Sequence, residues 1–247
     1  MTFCLGIKTK HGIVGLSDTR ITSGSETTTS KKVYVVNKKK HTFFIMTSGL
    51  RSVRDKAITY FTEVIKQQDD KFSKLYETVN ELGKQIKQVA KEDEEHLTKS
   101  GLNFNLHAII GGQLEEDGEP KLYLLYPQGN WIEIKRGTPF VIIGNSGFGN
   151  PVLRRSITYD ETLEFALKSA FLAFDATRIS ANDVDFPIDT VALINDEFHI
   201  KEHRFEQNEL AHISDFWNSR LKIAVSELPA DMLNRAFQEN DTRIDEY

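Results

Sequence analysis

The chain has 247 residues, 31 basic and 36 acidic side chains and a formal charge of -5, a balance that offers no bulk field for nucleic acid or an anionic membrane. One cysteine, Cys4, excludes an internal disulfide framework and suits a reducing compartment. No apolar run nears the ~20 residues of a membrane helix, and MTFCLGIKTKHG has no signal-type apolar region, so a soluble cytoplasmic protein is expected.

The opening reads as strands. Thr2 to Lys8 and Ile13 to Asp18 are short, partly alternating and β-branched, and Lys10-His11-Gly12 between them suits a hairpin turn. A polar stretch, Thr22 to Ser30, leads into two more strands, Lys32 to Val36 and His41 to Met46, and Thr47-Ser48-Gly49 ends the run. Leu50, Val53, Ala57, Ile58, Phe61, Val64 and Ile65 then repeat at three and four, as one buried helix face requires. Leu75, Val79, Leu82, Ile86, Val89 and Ala90 repeat the pattern, and the second helix runs out into acidic Lys91 to Glu95.

Phe104 to Gly111, Lys121 to Tyr126, Trp131 to Lys135 and Phe140 to Ile143, separated by Gly- and Pro-containing turns, have the spacing of an antiparallel meander. Thr158-x-x-Glu161 resembles a capping box opening a helix with Leu163, Ala166, Leu167, Ala170, Phe171 and Phe174 inward. Strands Ile188 to Ile194 and Glu197 to Arg204 and an amphipathic helix from Asn208 to about Leu228 follow. The charged tail Gln238 to Tyr247 reads as a frayed end. Strands grouped apart from paired helices predict α+β layers, two stacked sheets with helices outside, in a single domain spanning 1–247.

The chemistry gathers at the start. Methionine is removed when a small residue follows, so Thr2 is expected to lead the mature chain. A threonine hydroxyl is a weak nucleophile that needs a neighbouring base. A terminal α-amine titrates near ~7.7–8.0, against ~10.4 for lysine, and accepts a proton near neutral pH. A buried cation beside it holds the amine neutral; Lys32 is the candidate, with Asp18 to pair it. Folding the first two strands about Lys10-His11 brings Thr2 opposite Thr19, next to Asp18, while Lys32 opens the next strand.

Thr2, Gly-Ile-Lys…His-Gly-Ile-Val, Ser17-Asp18-Thr19-Arg20 and Lys31-Lys32-Val33 together resemble the N-terminal half of proteasome β subunits and the bacterial ring protease HslV. The Ser-Asp-Thr-Arg wording, the Thr-Ser-Gly turn and Phe186-Pro187-Ile188-Asp189 are most similar to the bacterial proteasome-type Anbu family. The resemblance implies a four-layer αββα sandwich and a threonine-type peptidase or amidase. Thr2 would be nucleophile and base, Asp18 and Lys32 would tune the amine, and Arg20 would support the site. The Gly49 amide would donate to the oxyanion. Ser146, or Asn145 if the alignment slips by one, would stand beside the amine. Lys31 competes with Lys32, but the family's lysine directly precedes a β-branched residue, as Lys32 precedes Val33.

Pocket residues Ile21, Ser30, Thr47 and Arg51 are suggested by the same resemblance. So are a homo-oligomeric ring or helical stack and a peptide or protein substrate; the residues name no ATPase partner. The family's Asp-x-x-Ser-Gly turn is absent. Arg178-Ile179-Ser180-Ala181-Asn182-Asp183 stands there, leaving Ser180, Asn182 and Asp183 open as supports of the amine. That departure favours the alternative, a self-assembling scaffold of the same fold without catalysis.

Other motifs read blandly, and no metal or cofactor is expected. His199-x-x-Glu202-His203 matches a zinc-peptidase pattern that needs a helix, but its setting is a strand, where the histidines lie ~13 Å apart. Gly144 to Gly149 lacks the spacing of a phosphate loop. The lysines at 31, 32 and 38 to 40 make no sustained basic face for nucleic acid. Cys4 reads as packing, and Phe216-Trp217 as core or subunit contact.

Overall fold

The computed structural model describes residues 2–23, 26–67 and 72–237. Strands β1 (Phe3–Thr9) and β2 (Gly12–Asp18) fold about Lys10-His11, followed by hairpins β3 (Arg20–Ser23) to β4 (Glu26–Thr29) and β5 (Val33–Lys38) to β6 (His41–Gly49). Helices α1 (Arg51–Gln67) and α2 (Leu75–Lys99) precede β7 (Leu106–Leu114), β8 (Lys121–Leu125), β9 (Trp131–Glu133) and β10 (Phe140–Gly144). Then come α3 (Gly149–Ser156), α4 (Leu163–Arg178), β11 (Ile188–Ile194), β12 (Ile200–Phe205), α5 (Gln207–Ser226) and α6 (Asp231–Phe237).

Two five-stranded sheets form, β10-β1-β2-β11-β12 and β5-β6-β7-β8-β9, and every described pairing is antiparallel. Each central strand is covered on both faces, which is why β1 and β2 are buried along their whole length and alternate only partly in sequence. Between the sheets lie Cys4, Ile13, Phe44, Met46, Ile109, Leu122 and Val191. Outside one sheet, α1 and α2 bury Val53, Ala57, Phe61, Val79, Leu82 and Ile86 against Phe43, Ile45 and Ile110. Outside the other, α4 buries Ala166, Ala170, Ala173 and Phe174 against Phe3, Leu5, Val14 and Leu16. The result is the αββα sandwich of N-terminal-nucleophile hydrolases. Each large apolar side chain sealed in these layers stabilises the fold by about 1.5–3 kcal/mol. No described helix is long and apolar enough to cross a membrane.

Five local expectations change. The polar stretch after β2 is itself a hairpin, β3–β4, because its threonines favour extended backbone and the ladder pairs their amides. The meander stops at β9: β10 crosses to the other sheet and pairs with β1, Phe3 facing Gly144. The cap of α4 is Thr162, whose hydroxyl accepts the Phe165 N–H at 3.1 Å, while Thr158 only touches Glu161. The glycine-rich segment after β10 leads into α3, a short helix of eight residues that buries Gly149 and Leu153. Helix α5 exists, yet none of its residues is buried; Phe216 is 55% exposed, so it is not core. The tail from 238 lies outside the described residues.

Candidate active site

The β1–β2 register, Cys4 facing Ser17, carries the chain start to Asp18. The Phe3 N–H donates to Asp18 Oδ1 at 2.9 Å, and Lys32 Nζ donates to the same oxygen at 2.7 Å. This ion pair is sealed, with side-chain exposures of 0% for Asp18 and 3% for Lys32. Burial pushes the Asp18 carboxyl above its ordinary range, against the downward pull of Lys32 and the Phe3 amide. Its second oxygen has no partner, which leaves the carboxylate poorly solvated. Lys31, the competing lysine, instead reaches surface Glu202.

Thr2 is 9% exposed and lines a cleft of about 870 Å³ with Lys32, Thr47, Ser48, Gly49 and Gly144. Its carbonyl accepts the Asn145 N–H at 2.7 Å. That approach requires glycine at 144, where φ is +84° and a Cβ would lie 1.9 Å from the Thr2 oxygen. Gly49 closes β6 at φ +140°, where a Cβ would meet the Asn105 carbonyl at 2.1 Å. Both glycines are fixed by backbone crowding at the edge of the cleft.

Arg20 Nη1 donates to Asp185 at 2.9 Å, and Asp185 in turn accepts the Phe186 N–H. The Thr19 amide and hydroxyl both donate to the Pro187 carbonyl, at 3.0 and 2.7 Å. Arg20 thus ties β3 to the segment entering β11, and its Nε is buried without a partner. Of the three residues left open in the departing turn, Ser180 and Asn182 are exposed, whereas Asp183 is half-buried. Burial pushes the Asp183 carboxyl up, but the amino-terminal charge of the full-length chain, which Met1 carries, and Lys32 more than offset this and hold it below the ordinary range.

Ile21, Thr47 and Arg51 line the cleft. Ser30 does not; it lines a separate groove with Lys31, Asp189, Glu202 and Arg204. Ser146 is half-buried beyond the cleft lining, its carbonyl accepting the Asn150 N–H. Sequence reasoning missed Arg54, Asn103, Asn105, His107 and Tyr126, which complete the wall. Arg54 lay within reach of a sequence argument, being three residues after Arg51 on one helix face. His107 comes from β7, opposite Ser48, and packs edge-on against Tyr126 at 6.0 Å; burial holds its imidazole below the ordinary range.

The zinc-peptidase pattern is split. His203 sits within strand β12, edge-on to Phe205, and His199 just before that strand. Cys4 is fully buried behind the site, near Ser17 Oγ and the Thr47 carbonyl, and burial pushes its thiol up to about 12.

Anbu from Hyphomicrobium sp. strain MC1 superimposes with a TM-score of 0.83 at 27% identity, covering 92% of this chain and 98% of that one. The Anbu complex of Pseudomonas aeruginosa, described as a helical assembly, gives 0.84 at 26%, covering 92% and 97%. Anbu from Yersinia bercovieri, the ancestral β-subunit, gives 0.84 at 24% with 92% and 98% covered, a likeness of fold. No curated protein sequence matches. The sequence profile of the proteasome subunit matches residues 2–188, which take in the chain start, the lysine–aspartate pair, the whole of the sheet β5-β6-β7-β8-β9 and strands β1, β2 and β10 of the other, and the chain belongs to that family.

Proposed function

We propose that the protein is a threonine-type peptidase or amidase, the whole chain acting as one domain with Thr2 leading it after loss of Met1. The observation that carries this reading is the buried Lys32–Asp18 pair, joined at 2.7 Å and tied through the Phe3 amide to the residue after Thr2.

The reaction follows from that geometry. Lys32 places a positive charge beside the chain start, which disfavours protonation of the Thr2 amine and leaves it able to act as base. The amine takes the proton from Oγ as the oxygen attacks a peptide or amide carbonyl. The developing oxyanion is met by the Gly49 amide, a contact of a kind that lowers barriers by about 3–4 kcal/mol. The protonated amine then gives its proton to the leaving nitrogen, and an ester forms on Oγ. Water, deprotonated by the same amine, hydrolyses that ester. Asp18 pairs with Lys32 in its buried position, Asp183 supports the amine, and Arg20 holds β3 against the β11 approach. Self-association, as in the helical assembly of the Pseudomonas relative, would place these clefts on an inner surface.

The test is intact-mass analysis of protein made in its own host, before and after an epoxyketone probe. A mass lacking Met1 and one probe adduct on Thr2, absent in Thr2→Ala, is the expected result. Retained Met1 with no adduct overturns the enzyme in favour of a scaffold of the same fold.

A further inference from the structure

The described residues lining the cleft include four cations, Arg20, Lys32, Arg51 and Arg54, and no carboxylate. Arg20 and Lys32 are each held by a carboxylate of their own, at 2.9 and 2.7 Å. Arg51 and Arg54 share one. Arg54 holds Asp55 at 2.7 Å, and Arg51 reaches it only at 3.4 Å, with its side chain 64% exposed. One positive charge is therefore uncompensated at this wall. Both arginines stand in the first turn of α1, which carries no acidic residue to offset the partial positive charge of a helix start.

A second observation falls at the same place. Thr47 is 4% exposed, yet its hydroxyl has no partner among the described residues. A buried hydroxyl without a partner is uncommon and points to a group that is supplied by something bound. A side pocket of about 310 Å³ opens there, bounded by Lys31, Lys32, Thr47 and Arg54 and by Asp55, the carboxylate that Arg54 already holds. It shares Lys32, Thr47 and Arg54 with the cleft that Thr2 lines.

We propose that this wall selects substrates with a carboxylate side chain beside the bond to be cleaved. The acid would lie between Arg51 and Arg54, with the Thr47 hydroxyl donating to it. The fork of a guanidinium matches a carboxylate in geometry and charge. A lysine-bearing substrate meets the same charge as repulsion. This inference rests on the peptidase reading of the cleft, and its test is separable from that reading.

Peptides that differ only by Glu, Leu or Lys at that position are titrated against Thr2→Ala protein by fluorescence anisotropy, so that binding is read without turnover. The Glu peptide is expected to bind up to about fivefold more tightly than the Leu peptide, with Lys weakest, as for charge pairs near a surface. The ratio should fall toward one in about 0.5 M salt, where such pairs are screened. It should fall likewise in Arg51→Glu, a change at an exposed side chain that leaves packing intact, and in Arg54→Gln. Equal binding of the three peptides, or an acid preference that survives both substitutions, overturns the proposal. A missing epoxyketone adduct on the unsubstituted protein, alongside a retained preference for the Glu peptide, overturns catalysis and keeps the wall as a carboxylate-binding site.

Discussion

Lys32 Nζ and the Phe3 amide converge on one atom, Asp18 Oδ1, at 2.7 and 2.9 Å. A single carboxylate oxygen therefore fixes both a buried cation and the first strand residue after Thr2. Replacing Lys32 by methionine leaves that carboxylate buried without its counter-charge. The expected loss is about 3–5 kcal/mol of stability, read from urea unfolding midpoints. Labelling of Thr2 by an epoxyketone should disappear in the fraction that still folds. Unchanged stability would mean the pair is not sealed as described.

Gly144→Ala tests how closely the chain start is gripped. The added methyl would fall 1.9 Å from the Thr2 carbonyl oxygen, and the backbone there has φ +84°. Strain and crowding together should cost at least about 1–2 kcal/mol. Probe labelling should slow more than the stability loss explains, because the displaced atom belongs to the nucleophile's own residue. Full labelling at normal rate would contradict the geometry.

The cap of α4 offers a clean pair of substitutions. Thr162→Ala removes the hydroxyl that accepts the Phe165 N–H and should cost about 1 kcal/mol. Thr158→Ala, at the position where the sequence pattern places the cap, should change stability by no more than about 0.5 kcal/mol. Reversed magnitudes in thermal melts would put the helix start four residues earlier.

Acid should weaken the end of the sandwich away from Thr2. There Glu119 accepts from Lys8 at 2.9 Å and Lys121 at 3.2 Å. Burial pushes its carboxyl up, but Lys8 and then Lys121 bring it down to about 2 from an ordinary 4.5. The folded state thus binds this proton less readily than the unfolded one. The stabilisation is whole above pH 4.5 and is lost as pH falls toward about 2. Its size is reduced by solvent, since the Glu119 side chain is 39% exposed. Melting temperatures should decline less steeply over that window in Glu119→Gln than in the parent; parallel declines would remove Glu119 from the account.

Legibility in the sequence followed the range of the contacts. Helices α1 and α2 were readable because their apolar period is local, and the pairing of β1 with β2 because a short turn fixes the register. That register brings Thr2 to Asp18, while Lys32 follows from its place just before a later strand. His107, Tyr126 and Asp185 were not readable, since each reaches the cleft region through a pairing or loop contact far along the chain. The departure of β10 from the meander was hidden for the same reason: its partner, β1, lies more than a hundred residues earlier. The exposure of α5 escaped because an amphipathic pattern tells which face is apolar, not whether anything covers it.

The seclusion of Cys4 has a practical side. It is the chain's sole thiol, fully buried and shifted to about 12, so it stays protonated and out of reach of maleimides at neutral pH. A cysteine introduced on the exposed face of α5 would then take up a dye or spin label alone, with no background to subtract. Any self-association would then be read in solution as distances between such labels, on a chain otherwise unaltered.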